Sequence, residues 1–168
     1  MKQLNWATQP LGTDMFDALH RFLTGADDVH RTSGQSDAAF ALAVLLIDVA
    51  RSSSERVEER EHTVIERALA QRFNLERGEV TRLMTAAEIG AIDATDLFHF
   101  TQIVVKNFSE EERIGVIEML WEVAYSDGVL SGHEDTLIRQ VAGLIDVSDR
   151  ERGDAKLRVA KRLERTED

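Results

Sequence analysis

Five carboxylates carry the chemistry this sequence offers: Asp48, Glu61, Glu122, Asp127 and Glu134. They fall in two segments that line up with each other. Leu46-Ile47-Asp48-Val49-Ala50-Arg51-Ser52 matches Leu120-Trp121-Glu122-Val123-Ala124-Tyr125-Ser126, and beyond a loop Glu61 with Val64-Ile65 matches Glu134 with Leu137-Ile138. After one more slip in register, Phe73-Asn74-Leu75 matches Ile145-Asp146-Val147. Each unit places an acid at the end of a first helix (Asp48; Glu122) and another in the first turn of a second (Glu61; Glu134), and the second unit adds Asp127 in the turn between. A helical hairpin brings such positions to one end, where carboxylate oxygens suit a hard divalent cation, calcium or magnesium before a transition metal. The competing reading is structural: Glu134 closes a Ser-x-x-Glu capping box, Asp127 is a turn residue, and Glu122 is a solvated or ion-paired helix acid. Asp48 is the least ordinary of the five. It interrupts the apolar run Ala38 to Ala50, where a buried charge needs a cation, an Arg or several donors.

Other constellations are weaker. Glu59-x-x-His62 and Asp96-x-x-His99 have the spacing of di-metal carboxylate bundles, the third reading for this chain. The same spacing recurs at Asp17/His20 and Asp27/His30, outside any bundle pattern, so it is not specific. No Gly-rich phosphate loop, His-Glu-x-x-His or Gly-x-Ser-x-Gly is present, and Ser52-Ser53-Ser54 has no evident base. With no Cys, thiolate metal sites, disulfides and a cysteine nucleophile are excluded. No catalytic step is therefore expected. Lys+Arg total 20 against 31 Asp+Glu, a net charge of −11, which opposes the phosphate neutralisation that nucleic-acid binding needs and leaves proteins as the expected partners.

The elements that must position these acids read as helices. The chain has 168 residues, 43% of them hydrophobic, which suits one domain with a real core, and its single Pro, Pro10, interrupts nothing downstream. Ala38 to Arg51 is apolar nearly throughout and predicts a central buried helix. Amphipathic spacing predicts helices over 58–73, 77–92 and 95–108, the last capped by Asp93 or Thr95. Three capping boxes, Ser109/Glu112, Ser131/Glu134 and Ser148/Glu151, predict helices over 110–126, 132–146 and 149–164. Trp121, Tyr125, Phe98, Phe100 and Met84 stand at core-type positions, and His99 reads as partly buried and hydrogen-bonded. Strand alternation is missing. The expected architecture is all-α: a single-domain bundle of about seven helices, built from two related helical hairpins joined by two intervening helices, over residues 37–165. Residues 1–36 read as an N-terminal arm with a short amphipathic helix at 15–23, too small to make peripheral membrane contact the favoured reading. No run reaches the length of a bilayer span and no secretory leader is evident, so a cytoplasmic location is expected.

These segments also carry a resemblance. Leu-Trp-Glu-Val-Ala-Tyr-Ser-Asp-Gly at 120–128 with Glu134, Asp-Val-Ala-Arg-Ser at 48–52 with Glu61, Thr95-Asp96-Leu97-Phe98-His99-Phe100, and Ser109-Glu110-Glu111-Glu112-Arg113 follow one another in order. Over roughly 38–158 the chain resembles the TerB-like family of tellurite resistance proteins. The resemblance implies a helical fold, a part in tellurite or other stress resistance, and a metal site. In both units the family pattern is an acid, then Ala-x-x-Asp-Gly, then Glu seven residues after that Asp; the second unit keeps it as Glu122, Asp127-Gly128 and Glu134. The first unit departs from it, with Ser53-Ser54-Glu55 in place of Asp-Gly and an extra residue, so one lopsided site is implied, not two equal ones. Met15 to Phe22 resembles the opening of such proteins, which implies Met15 as their matching start.

Overall fold

Helix α1 (Ser33–Arg51) is the axis of the molecule because its sequence has no polar face: every side chain from Ala41 to Ile47 is 0% exposed. Around it the computed structural model, which describes residues 33–54, 56–93 and 97–166, places α2 (Glu59–Phe73), α3 (Arg77–Asp93), α4 (Phe98–Asn107), α5 (Glu110–Ala124), α6 (Gly132–Leu144) and α7 (Asp149–Glu164). The fold is all-α, with seven helices and no strand among the described residues. Helix α1 touches every helix from α2 to α6, and α3 approaches it closely at Gly90, where a Cβ would stand 3.0 Å from the Phe40 ring. Helix α1 begins at Ser33, inside the stretch assigned to the arm. The amphipathic segment 15–23 lies outside the described residues, as does Thr95. No helix among the described residues is long and apolar enough to cross a membrane.

The helix starts marked by capping boxes fall where the sequence puts them. Ser109, Ser131 and Ser148 each accept the N3 amide through Oγ, at 3.2, 3.2 and 3.3 Å. Glu112, Glu134 and Glu151 accept the cap amides in return, at 2.9, 2.8 and 2.9 Å. The two hairpins, α1–α2 and α5–α6, end alike. Asn74 and Asp146, paired by the alignment of the two units, are the only non-glycine residues with positive φ among the described residues, at 52° and 58°. Each lets the next amide close the helix: Leu75 N donates to Ala70 O at 3.0 Å and Val147 N to Ala142 O at 2.9 Å. The hairpins pack through α1 and α2 against α5, and α1 against α6.

Helix α7 is mostly polar and rests on α5 and α6 through buried Ala155 and Val159. Beneath it Trp121 is fully buried, donates Nε1–H to Arg152 O at 3.3 Å, and lies 4.6 Å from Lys156 Nζ.

Two core expectations are corrected at the start of α4. Its inward stripe is Phe100, Thr101, Val104 and Phe108. Phe98 is two residues, about 200° of helix, from Phe100 and is 53% exposed. His99 is likewise exposed, its ring set edge-on to Phe100 at 5.4 Å instead of being partly buried. Trp121, Phe100 and Met84 are core residues as expected, while Tyr125 is half-buried against Trp121.

Candidate metal centre

Closing a cap forces a glutamate at the third helical position to fold back on its own helix start. In the two hairpins Glu61 and Glu134 close such caps and are also buried, 2% and 0% exposed, whereas Glu112, which closes the same box at the start of α5, stays exposed. One oxygen of each is used locally: Glu61 Oε2 accepts Glu58 N at 2.7 Å, and Glu134 Oε2 accepts Ser131 N at 2.8 Å. Glu134 Oε1 is buried with no hydrogen-bond partner. The Glu61 carboxyl is held above its ordinary value, first by burial, which the Glu58 amide opposes, and then by the negative charges of Glu58, Glu134 and Asp127. The first hairpin's cap glutamate therefore faces two acids of the second hairpin.

The remaining sequence candidates are placed differently. Asp127 is exposed at the turn, where its Oδ1 accepts Val129 N at 2.9 Å across Gly128, whose φ is +80°. Asp48 is half-buried; burial raises its carboxyl above the ordinary value, and Arg51 on the same helix opposes that. Glu122 is claimed by Arg162 of α7 in a short ion pair, and Arg162 also meets Glu118 at 3.4 Å. The structure thus brings Glu61, Asp127 and Glu134 into mutual electrostatic reach, whereas Asp48 answers to Arg51 and Glu122 to Arg162. Among the described residues, no three His, Asp or Glu side chains are arranged to hold a metal ion between them. Glu61 and Glu134 alone would leave most of a hard cation's shell to neutral oxygens.

Among the described residues, the groups of the di-metal alternative are not clustered. His62 lies 3.7 Å from Glu66 and 3.9 Å from Glu88 on the surface, His99 is exposed on another helix, and Asp96 lies outside the described residues. Sequence reasoning missed the pairing of Arg162 with Glu122. The two lie 40 residues apart, beyond any local spacing rule.

The chain is an all-helical bundle containing two related hairpins, each with a buried glutamate, Glu61 or Glu134, in the first turn of its second helix. Over residues 39–157 the chain matches the family described as tellurite resistance protein TerB, and it belongs to the TerB family. The stretch of α7 that carries Arg158 and Arg162 lies beyond the matched residues. No curated protein and no solved structure matches the chain.

Proposed function

We propose that this TerB-family chain is a non-enzymatic protein of tellurite or related stress resistance that binds one divalent cation, calcium or magnesium, between its two hairpins. The observation that carries this reading is Glu134 Oε1, buried and without a partner, with the negative charges of Glu134 and Asp127 acting on the buried Glu61 carboxyl. Glu61 and Glu134 would hold the ion and Asp127 would add to its field. The chemistry supplied is charge neutralisation: a cation removes the repulsion between the hairpins and fastens α2 to α6. Occupancy would then report itself as rigidity of the bundle, which a partner protein could read.

Titration calorimetry and thermal melts of chelator-treated protein with calcium, magnesium, manganese, zinc and ferrous iron test the proposal. A cation at a hundred times its Kd adds about 2.7 kcal/mol, which for a chain of this size raises Tm by ~5–10 °C. No heat and no rise with any ion would sink it. Ferrous-specific binding with oxygen consumption would instead support the di-metal enzyme.

A second reading treats the carboxylates as purely structural in an acidic interaction module. It is favoured by the internal pairing of Glu122 with Arg162 and of Asp135 with Lys156 at 2.7 Å. It requires a folded protein indifferent to every ion above.

A further inference from the structure

Between α2 and α3 lies an open cavity of about 380 Å³, lined by Thr63, Glu66, Arg67 and Ala70 of α2 and by Arg77 and Val80 of α3. The α2 residues stand at i, i+3, i+4 and i+7, one stripe of about 10 Å along the helix. Val80 is buried and Ala70 half-buried, which gives the cavity an apolar floor, and Thr63 spends its hydroxyl proton on Glu59 O at 2.9 Å. Arg67 and Arg77 stand on the two walls, both exposed, and neither side chain has a hydrogen bond or ion pair with another described residue. Glu66, the one acid of the lining, lies 3.7 Å from His62 on its own helix. Two guanidinium charges thus outweigh one carboxylate beside an apolar surface, in a chain whose net charge is −11. The repeat supplies a comparison. In the alignment of the two units Glu66 and Arg77 correspond to Arg139 and Asp149, with the charges exchanged. Helices α3 and α7 begin alike, Glu76 N donating to Glu79 Oε2 at 2.7 Å and Ser148 N to Glu151 Oε2 at 2.9 Å. Arg139 meets Asp149 at 3.7 Å and so links α6 to α7, whereas Glu66 pairs within α2 and Arg77 is left in the lining of the cavity.

We propose that this cleft binds a small organic carboxylate with an apolar body, its head held by Arg67 and Arg77 and its hydrocarbon laid on Ala70 and Val80. A guanidinium matches a carboxylate with paired N–H donors and gives up its water more readily than an ammonium does. The volume lies near the lower end of the roughly 300–1,000 Å³ of small-molecule sites. A stripe of two helical turns is shorter than the about three turns of an average helix, so a small ligand fits it better than a docked partner helix. Glu61 and Glu134 take no part in this cleft, which is therefore independent of the cation reading.

Sodium octanoate is the probe, titrated into the full chain and followed by amide NMR spectra, beside Arg67→Gln, Arg77→Gln and Arg150→Gln, the last an exposed arginine outside the cleft. Octanoate should shift the amides of residues 63–70 and 77–80 saturably, with a Kd of about 1 mM or tighter. Arg67→Gln and Arg77→Gln should each weaken binding about fivefold or more, while Arg150→Gln leaves it within twofold. Octanol, which lacks the charge, and acetate, which lacks the apolar body, should each bind about tenfold more weakly than octanoate. All three arginines are exposed, so the variants should melt like the native chain. No saturable shift at these amides, shifts centred elsewhere, or equal weakening by Arg150→Gln would overturn the assignment. Acetate binding as tightly as octanoate would overturn it in favour of an acidic partner attracted by charge alone, and octanol binding as tightly would overturn the part given to the arginines.

Discussion

Replacing Glu134 by Gln separates the two demands made on this side chain. The amide oxygen of Gln can still accept Ser131 N, now at 2.8 Å from Oε2, so the cap survives. The amide nitrogen takes the place of Oε1, which in the native protein is buried without a partner, and presents a donor where Glu61 supplies negative charge. An unmade hydrogen bond on a buried acceptor costs about 1–3 kcal/mol, and the repulsion from Glu61 adds to it. Relief of about 1–2 kcal/mol in the cation-free protein corresponds to a rise of ~3–6 °C in Tm for a chain of this length. With calcium in excess the order should invert, because the native protein gains from the ion and Glu134→Gln does not. Circular dichroism melts at neutral pH, in chelator and in calcium, read both effects. A Glu134→Gln protein less stable than the native one in chelator would refute the reasoning, since the buried carboxylate would then already have its compensation.

Three further outcomes follow from particular contacts. Burial raises the folded-state pKa of Asp48, so between its ordinary and raised values the folded chain binds the proton more tightly than the unfolded one; stability should rise as pH falls through the raised value, and Asp48→Asn should flatten that rise in denaturant titrations taken from neutral pH down to the ordinary carboxylate range. An identical profile in both proteins would contradict this. Glu118→Gln removes the pairings with Arg158 at 2.7 Å and Arg162 at 3.4 Å, and because both arginines are half exposed the loss should be no more than about 1 kcal/mol and should vanish in concentrated salt. Gly128→Ala should cost about 1–2 kcal/mol through the backbone alone, since φ is +80° and nothing lies within 4 Å of the added methyl; an unchanged Tm would show that the turn relaxes freely.

Local chemistry explains which features were legible in the sequence. The starts of α5, α6 and α7 were readable because a Ser-x-x-Glu box satisfies backbone donors that every helix start exposes. The start of α1 was not, since its first turn, Ser33 to Gln35, is polar and lies ahead of the apolar run. The repeat was readable from matched apolar and acidic positions, and its deepest match, the left-handed Asn74 and Asp146, lay in a pair of residue types that tolerate that conformation. Burial of Glu61 and Glu134 was not legible, because Glu112 closes the same capping box and stays exposed; only the packing of the hairpins distinguishes them. The fate of Glu122 was hidden because Arg162 reaches it from another helix. At Phe98 and His99 the miss is one of helical phase, set by where α4 begins.

The central claim is that one cation joins the two hairpins, and titration of chelator-treated Glu61→Gln with calcium chloride, beside the native chain, tests it most directly. The native chain should bind one ion, and Glu61→Gln should bind at least tenfold more weakly, although Asp127 and Glu134 of the other hairpin are intact. Native-like binding by Glu61→Gln, or no binding by the native chain, would contradict the account.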